Sequence, residues 1–190
     1  MPPEDDRSLI ARIAGGDPDA LPPLVARHRD AAWRVIRMRV ADDATAEDAL
    51  QETFLGVWRG AAGFSGDAPV RSWILAMARR QAARTWRRRA GEPQQTEPLA
   101  NLGKAAGWGG PDPELAASRA EQDHLLHRAL DRLPPEDREV ITLRDLEGLS
   151  GPEAAEALKI GLPALKSRLH RARLRLMAEL RENLEGPHVD

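Results

Sequence analysis

Residues 90–113, AGEPQQTEPLANLGKAAGWGGPDP, hold Pro93, Pro98, Pro111, Pro113 and five glycines. That composition interrupts helices and buries little apolar surface. On both sides of it Ala, Leu, Arg and Glu dominate, Tyr is absent, Phe occurs twice and β-branched residues are scarce, so intrinsic preference is helical nearly everywhere. The sequence therefore predicts an all-α protein without a sheet. It is divided into two small helical domains, residues 1–89 and 114–190, joined by a flexible linker at 90–113.

Composition narrows the function classes. Of the 190 residues, 42% are hydrophobic and 31% charged, which supplies core material and a solvated surface. The absence of cysteine excludes disulfides, thiolate metal sites and thiol redox sensing. The opening MPPEDDRSL is acidic and lacks an apolar signal core, and no stretch approaches the roughly 18 apolar residues of a membrane span; a cytoplasmic protein is expected. His124 and His127 have the i, i+3 spacing of a metal-ligand pair, but two ligands with no Cys nearby read as a solvated helix face. Asp5 with Asp6, and Asp42 with Asp43, suit helix caps better than a catalytic pair. No catalytic residue, metal or cofactor is expected, and the chain reads as a binding protein rather than an enzyme.

A formal net charge of −2 conceals two cationic blocks. Residues 79–89, RRQAARTWRRR, contain six Arg and no acid, and residues 159–175 contain two Lys, four Arg and one His without an acid. The second block sits in an informative context. Glu136 to Leu146 reads as a short amphipathic helix with Val140, Ile141, Leu143 and Leu146 apolar, closed by Gly148. Ser150, Pro152 and Glu153 then make a capping-box start for PEAAEAL, and Lys159–Gly161 makes a tight turn before LPALKSRLHRARLRL. Helix, short turn, helix is the helix-turn-helix plan, whose second helix enters the major groove. On that helix Leu162, Leu165, Leu169, Ala172 and Leu176 share one stripe. Pro163, Ser167, His170, Arg171 and Leu174 lie opposite, with Lys166 and Arg173 on one shoulder and Arg168 and Arg175 on the other. Hydrogen-bonding groups at the leading edge and cations on both shoulders suit duplex DNA.

In the N-terminal half, helix 46–59 places Leu50, Phe54, Val57 and Trp58 on one face and Asp48, Gln51, Glu52 and Leu55 on the other. An apolar centre with a polar rim suits a docking surface. The helix from about Val70 to Arg89 buries Val70, Ile74 and Met77 and carries Trp73, Arg80, Arg84 and Arg87 as a second stripe. Arginine beside an aromatic ring at helical spacing suits unpaired bases and their phosphates.

Taken together, AEDALQETFLGVW, FSGDAPVRSWILAMARRQAARTWRRR, LPPEDREVITLRDLEGLSGPEAAEAL and LKSRLHRAR, in that order, resemble the extracytoplasmic-function (ECF, group 4) RNA polymerase sigma factors of the sigma-70 family. The resemblance spans about residues 7–89 and 114–182. It implies an alternative sigma factor: a region 2 domain that binds core polymerase and helps melt the minus-10 element, and a region 4 domain that reads the minus-35 element. By position it puts Asp48, Gln51 and Glu52 at the polymerase contact, on the face that spacing gives to Leu55. Phe64, Ser65, Asp67, Trp73, Arg79 and Arg80 fall at the minus-10 strand, with Arg84 and Arg87 on the stripe that spacing gives to Trp73 and Arg80. Lys166, Ser167, Arg168, Arg171 and Arg173 fall at the minus-35 duplex, on the face that spacing gives to His170. An anti-sigma factor is the further partner it implies. Arg80 and Arg84 stand where the family usually has Asn and Asp, which points to an unusual minus-10 preference, and LPAL lacks the Thr common at the start of the recognition helix. A stand-alone helix-turn-helix regulator also accounts for residues 134–176, but not for the N-terminal arginines or the docking helix; a helical adaptor accounts for the docking helix alone.

Overall fold

The computed structural model describes residues 4–89 and 125–185, and every regular element among them is helical. The linker expected at 90–113, and His124, lie outside the described residues. Four helices form the N-terminal domain: α1 (Asp6–Ala14), α2 (Leu21–Arg37), α3 (Asp43–Gly60) and α4 (Val70–Arg89). The C-terminal domain contains α5 (125–132), α6 (Pro135–Ile141), α7 (Gly151–Leu158) and α8 (Leu162–Glu185).

Local chemistry sets the helix boundaries. Asp5 caps α1 by accepting from the Ser8 N–H at 2.7 Å, and Asp42 caps α3 by accepting from the Thr45 N–H at 2.8 Å. Each satisfies a donor that the first turn leaves without an intrahelical acceptor. Helix α3 consequently starts three residues before the start at 46 that periodicity suggested.

The N-terminal core forms where α2 and α3 pack on α4, with Leu24, Ile36, Val57, Ile74 and Leu75 fully enclosed. Leu50, Phe54 and Val57 are buried as their spacing required, and Trp58 is half-buried against the core. In the C-terminal domain α8 lies across α6 and α7 and inserts Leu165, Leu169 and Ala172. Leu162, placed by periodicity on that stripe, is instead 37% exposed. It occupies the first position of α8, beyond the edge of the core, and rests against Gly151, where an added Cβ would come within 3.2 Å of it.

Helix α6 does not continue regularly to its end. Residues Thr142–Leu146 form a π-helical turn, in which the Glu147 N–H donates to the Thr142 carbonyl at 2.8 Å. The wider turn shifts the register by a residue. Val140, Ile141 and Leu143 are buried as expected, whereas Leu146, expected on the same face, is 42% exposed.

The two domains lie against one another, with α4 packed on α7 and α2 touching the π turn. One continuous cluster of buried apolar residues runs through both domains. The ion pairs at this boundary join carboxylates of the C-terminal domain to arginines of the N-terminal one. The Glu147 side chain is fully enclosed and accepts from Arg34 at 2.6 and 3.2 Å and from Arg71 at 2.5 Å. Arg71 also donates to the Glu147 carbonyl at 2.5 Å. Glu139, nearly as buried, accepts from Arg39 at 2.5 Å and from Arg79 at 3.3 Å. Removing one partner of such a buried pair costs about 3–5 kcal/mol, because the remaining charge is stranded out of water.

Candidate nucleic-acid interface

The helix-turn-helix is assembled by α7, the turn at Lys159–Gly161, and α8. The capping box is complete: the Ser150 N–H donates to Glu153 Oε2 at 2.6 Å and the Glu153 N–H donates to Ser150 Oγ at 3.4 Å. Hydrogen bonding of the Glu153 carboxylate to Ser150, through its hydroxyl and its N–H, assisted by Ser72 Oγ donating at 3.0 Å, holds it below its ordinary pKa. Lys159 ends α7 in the left-handed conformation at φ 56°, which turns the chain sharply into α8.

On the outer face of α8, Pro163, Lys166, Ser167, His170, Arg171 and Leu174 are all exposed, and Arg168 is partly so. Among the described residues Lys166, Arg168 and Arg171 make no ion pair. The other shoulder cations are engaged within the domain. Arg173 donates to both oxygens of Asp145 at 2.6 and 2.9 Å, which raises its pKa further, and Arg175 pairs with Asp137. Arg173 is thus presented beside Lys166 but already carries a carboxylate.

The candidate minus-10 residues divide into two groups. Phe64 and Trp73 are both half-buried, with ring centroids 5.0 Å apart and planes tilted by 47°, so the loop before α4 is stacked onto the helix. Gly60 makes room for this pair: a Cβ there would lie 3.4 Å from the Trp73 ring and 3.3 Å from Met77. Ser65 and Asp67 are exposed at the loop tip. There Gly66 takes φ 79° and its carbonyl accepts from Arg7 at 2.8 Å. Arg80, Arg84 and Arg87 are exposed along α4, next to Trp86 at 42% exposure, and carry no ion pair among the described residues. Arg79 stands apart from them, turned toward Glu139 and the Ala157 carbonyl, which it reaches at 3.2 Å.

On α3, Asp48, Gln51, Glu52 and Leu55 are exposed together, with Leu55 at 41%, on the face opposite Leu50 and Phe54. Residue spacing had not indicated Arg34, Arg39 and Arg71, since the partners that hold them are distant in sequence.

The Sigma-70 region 2 family matches residues 24–92 and the Sigma-70 region 4 family residues 123–176. The RNA polymerase sigma factor CnrH of Cupriavidus metallidurans is 33% identical over 186 residues, covering 95% of this chain and 97% of the relative. The chain belongs to the ECF RNA polymerase sigma factors. The ECF sigma factor SigM of Mycobacterium tuberculosis is 32% identical over 171 residues, covering 90% of the chain and 82% of the relative. In three dimensions the sigma factor is similar to CnrH in complex with the cytosolic domain of CnrY, with a TM-score of 0.66, 29% identity, and coverage of 93% of this chain and 97% of that one. A sigma factor RpoE solved with the anti-sigma factor NepR from Bartonella quintana, 22% identical with a TM-score of 0.63 over 84% of this chain and 95% of that one, shares the fold. As an alternative sigma factor, this protein acts in transcription initiation with RNA polymerase and promoter DNA as its partners. Among the described residues no helix is long and apolar enough to cross a membrane.

Proposed function

We propose that this sigma factor, of the group 4 class, works in the cytoplasm by binding rather than by catalysis, with residues 1–89 as the polymerase and minus-10 domain, 90–113 as linker and 114–190 as the minus-35 domain. The observation that carries the assignment is the outer face of α8, where Lys166, Ser167, His170 and Arg171 are exposed together behind a capped helix and a tight turn. In this reading Arg171 and Ser167 meet base edges, His170 lies between them, and Lys166, Arg168 and Arg173 meet phosphates. Unpaired minus-10 bases are received around Phe64, Ser65, Asp67 and Trp73, with Arg79, Arg80, Arg84 and Arg87 along their backbone. The core enzyme docks on Asp48, Gln51, Glu52 and Leu55. The likeness to CnrH bound to CnrY supports a protein partner that holds the factor inactive, in the manner of an anti-sigma factor.

In vitro transcription with core polymerase on a randomised promoter library tests the reading. Initiation selective at two separated sequence blocks is expected. Arg171→Ala should flatten preference at one or two minus-35 positions, since a bidentate base contact is worth about 1–3 kcal/mol of discrimination. Lys166→Ala should weaken all promoters alike and lower the salt slope by about one. Sequence-specific DNA binding without any polymerase-dependent initiation would favour a stand-alone regulator.

A further inference from the structure

Four arginines of the region 2 domain, Arg34 and Arg39 from α2 and its end, and Arg71 and Arg79 from α4, converge in pairs on the two buried carboxylates of the region 4 domain. None of the four belongs to the hydrophobic core. Their side chains keep between 18% and 35% exposure even with the region 4 domain in place, whereas the two carboxylates keep 4% or less. The acids are therefore enclosed by the arginines, and lifting the region 4 domain away would uncover four guanidinium groups that, among the described residues, pair with no acid of their own domain. Arg71 and Arg79 are eight residues apart on one helix, about 12 Å along its axis, or the rise of three to four nucleotides of one DNA strand. Guanidinium forks bind carboxylate and phosphate oxygens with the same paired geometry.

We propose that Arg34, Arg39, Arg71 and Arg79 form an anion-binding row on the region 2 domain, filled here by Glu139 and Glu147 and taken over by DNA phosphates when the two domains separate. The proposal rests on the reading of this chain as a promoter-binding factor and adds three residues to its DNA surface. It also gives the closed arrangement a role. Arg79 cannot hold Glu139 and a phosphate at once, so closure and DNA binding on this face exclude each other, and by linkage each must weaken the other by the same factor.

The chain has no cysteine, so Ala62→Cys and Ala178→Cys, both at exposed positions, allow a donor and an acceptor dye to report the separation of the domains in the full-length protein. Titration of this labelled protein with a 30-base-pair duplex lacking promoter sequence should lower the transfer efficiency, and the midpoint should rise steeply with salt. In the Glu139→Gln/Glu147→Gln variant the efficiency should start lower. Its affinity for the same duplex should be about tenfold or more tighter, with a salt slope steeper by about two to four. Adding Arg34→Gln and Arg71→Gln to that background should return affinity and slope toward the wild-type values. Duplex bound at unchanged transfer efficiency in the otherwise unaltered protein overturns the proposal without any need for the glutamine variant to fold. So does an opened variant whose affinity and slope match wild type. Promoter-selective transcription by the wild-type protein, measured alongside, separates failure of this proposal from failure of the underlying reading.

Discussion

Lys159 is the single described non-glycine residue with positive φ, at 56° with ψ 44°, and it stands at the corner between the two helices of the DNA-reading motif. Its N–H donates to the Glu156 carbonyl and the next N–H, of Ile160, donates to the Ala155 carbonyl, both at 3.1 Å. The corner therefore satisfies carbonyls that the helix end leaves open. A residue with a Cβ pays about 1–2 kcal/mol to stand there. Glycine removes that cost but returns about 0.4–1 kcal/mol through the greater freedom of the unfolded chain. Lys159→Gly should thus stabilise the protein by about 0.5–1 kcal/mol, which in a chain of this size raises the melting temperature by roughly 1–4 °C. Lys159→Ala separates backbone from side chain: it loses the exposed pairing with Glu156 but keeps the Cβ, and should show no gain. Thermal unfolding followed by far-ultraviolet circular dichroism checks both. A melting temperature for Lys159→Gly at or below that of Lys159→Ala would refute the claim that the corner is strained.

Two further outcomes are expected. Asp48→Lys/Glu52→Lys should keep the wild-type helical signal, since both side chains point away from the Leu50 and Phe54 face, while affinity for core polymerase falls roughly tenfold or more and its salt dependence changes; surface plasmon resonance against immobilised core measures it. Glu153 has its pKa depressed by Ser150, so its contribution to stability is complete above the unfolded carboxyl range and is lost as pH falls below about 4.5; Glu153→Gln should flatten that part of the stability profile in denaturant melts run from pH 6 to pH 3.

The helical domains, the capping box at Ser150 and the buried stripe of Leu165, Leu169 and Ala172 were legible because each is written in residues three or four apart, the spacing at which a helix brings side chains together. The exposed grouping of Asp48, Gln51, Glu52 and Leu55 followed from the same periodicity. What joins the domains left no such trace. Arg34 and Glu147 are separated by 113 positions and Arg39 and Glu139 by 100, and an acid at either site reads from sequence as ordinary helix surface. Arg79, taken from sequence as one more cation for the minus-10 strand, is for that reason distinguishable from Arg80 only in three dimensions. Leu146 was misplaced because periodicity assumes an α-helix, and the turn that carries it is wider.

That wide turn ties chain length to the state of the molecule. A π turn holds one residue more than the α turn it replaces, so deleting a single position within Thr142–Leu146 would restore a regular ladder and swing Glu147 by about 100° around the helix axis. Its carboxylate would then leave Arg34 and Arg71 although no charged side chain had been altered. The hydrophobic contacts of α6 before the turn and the capping box after it would both survive. A change in residue count rather than residue chemistry would thus remove one of the two carboxylates that clasp the domains, leaving Glu139 with Arg39 and Arg79 and the shared apolar contacts to hold them.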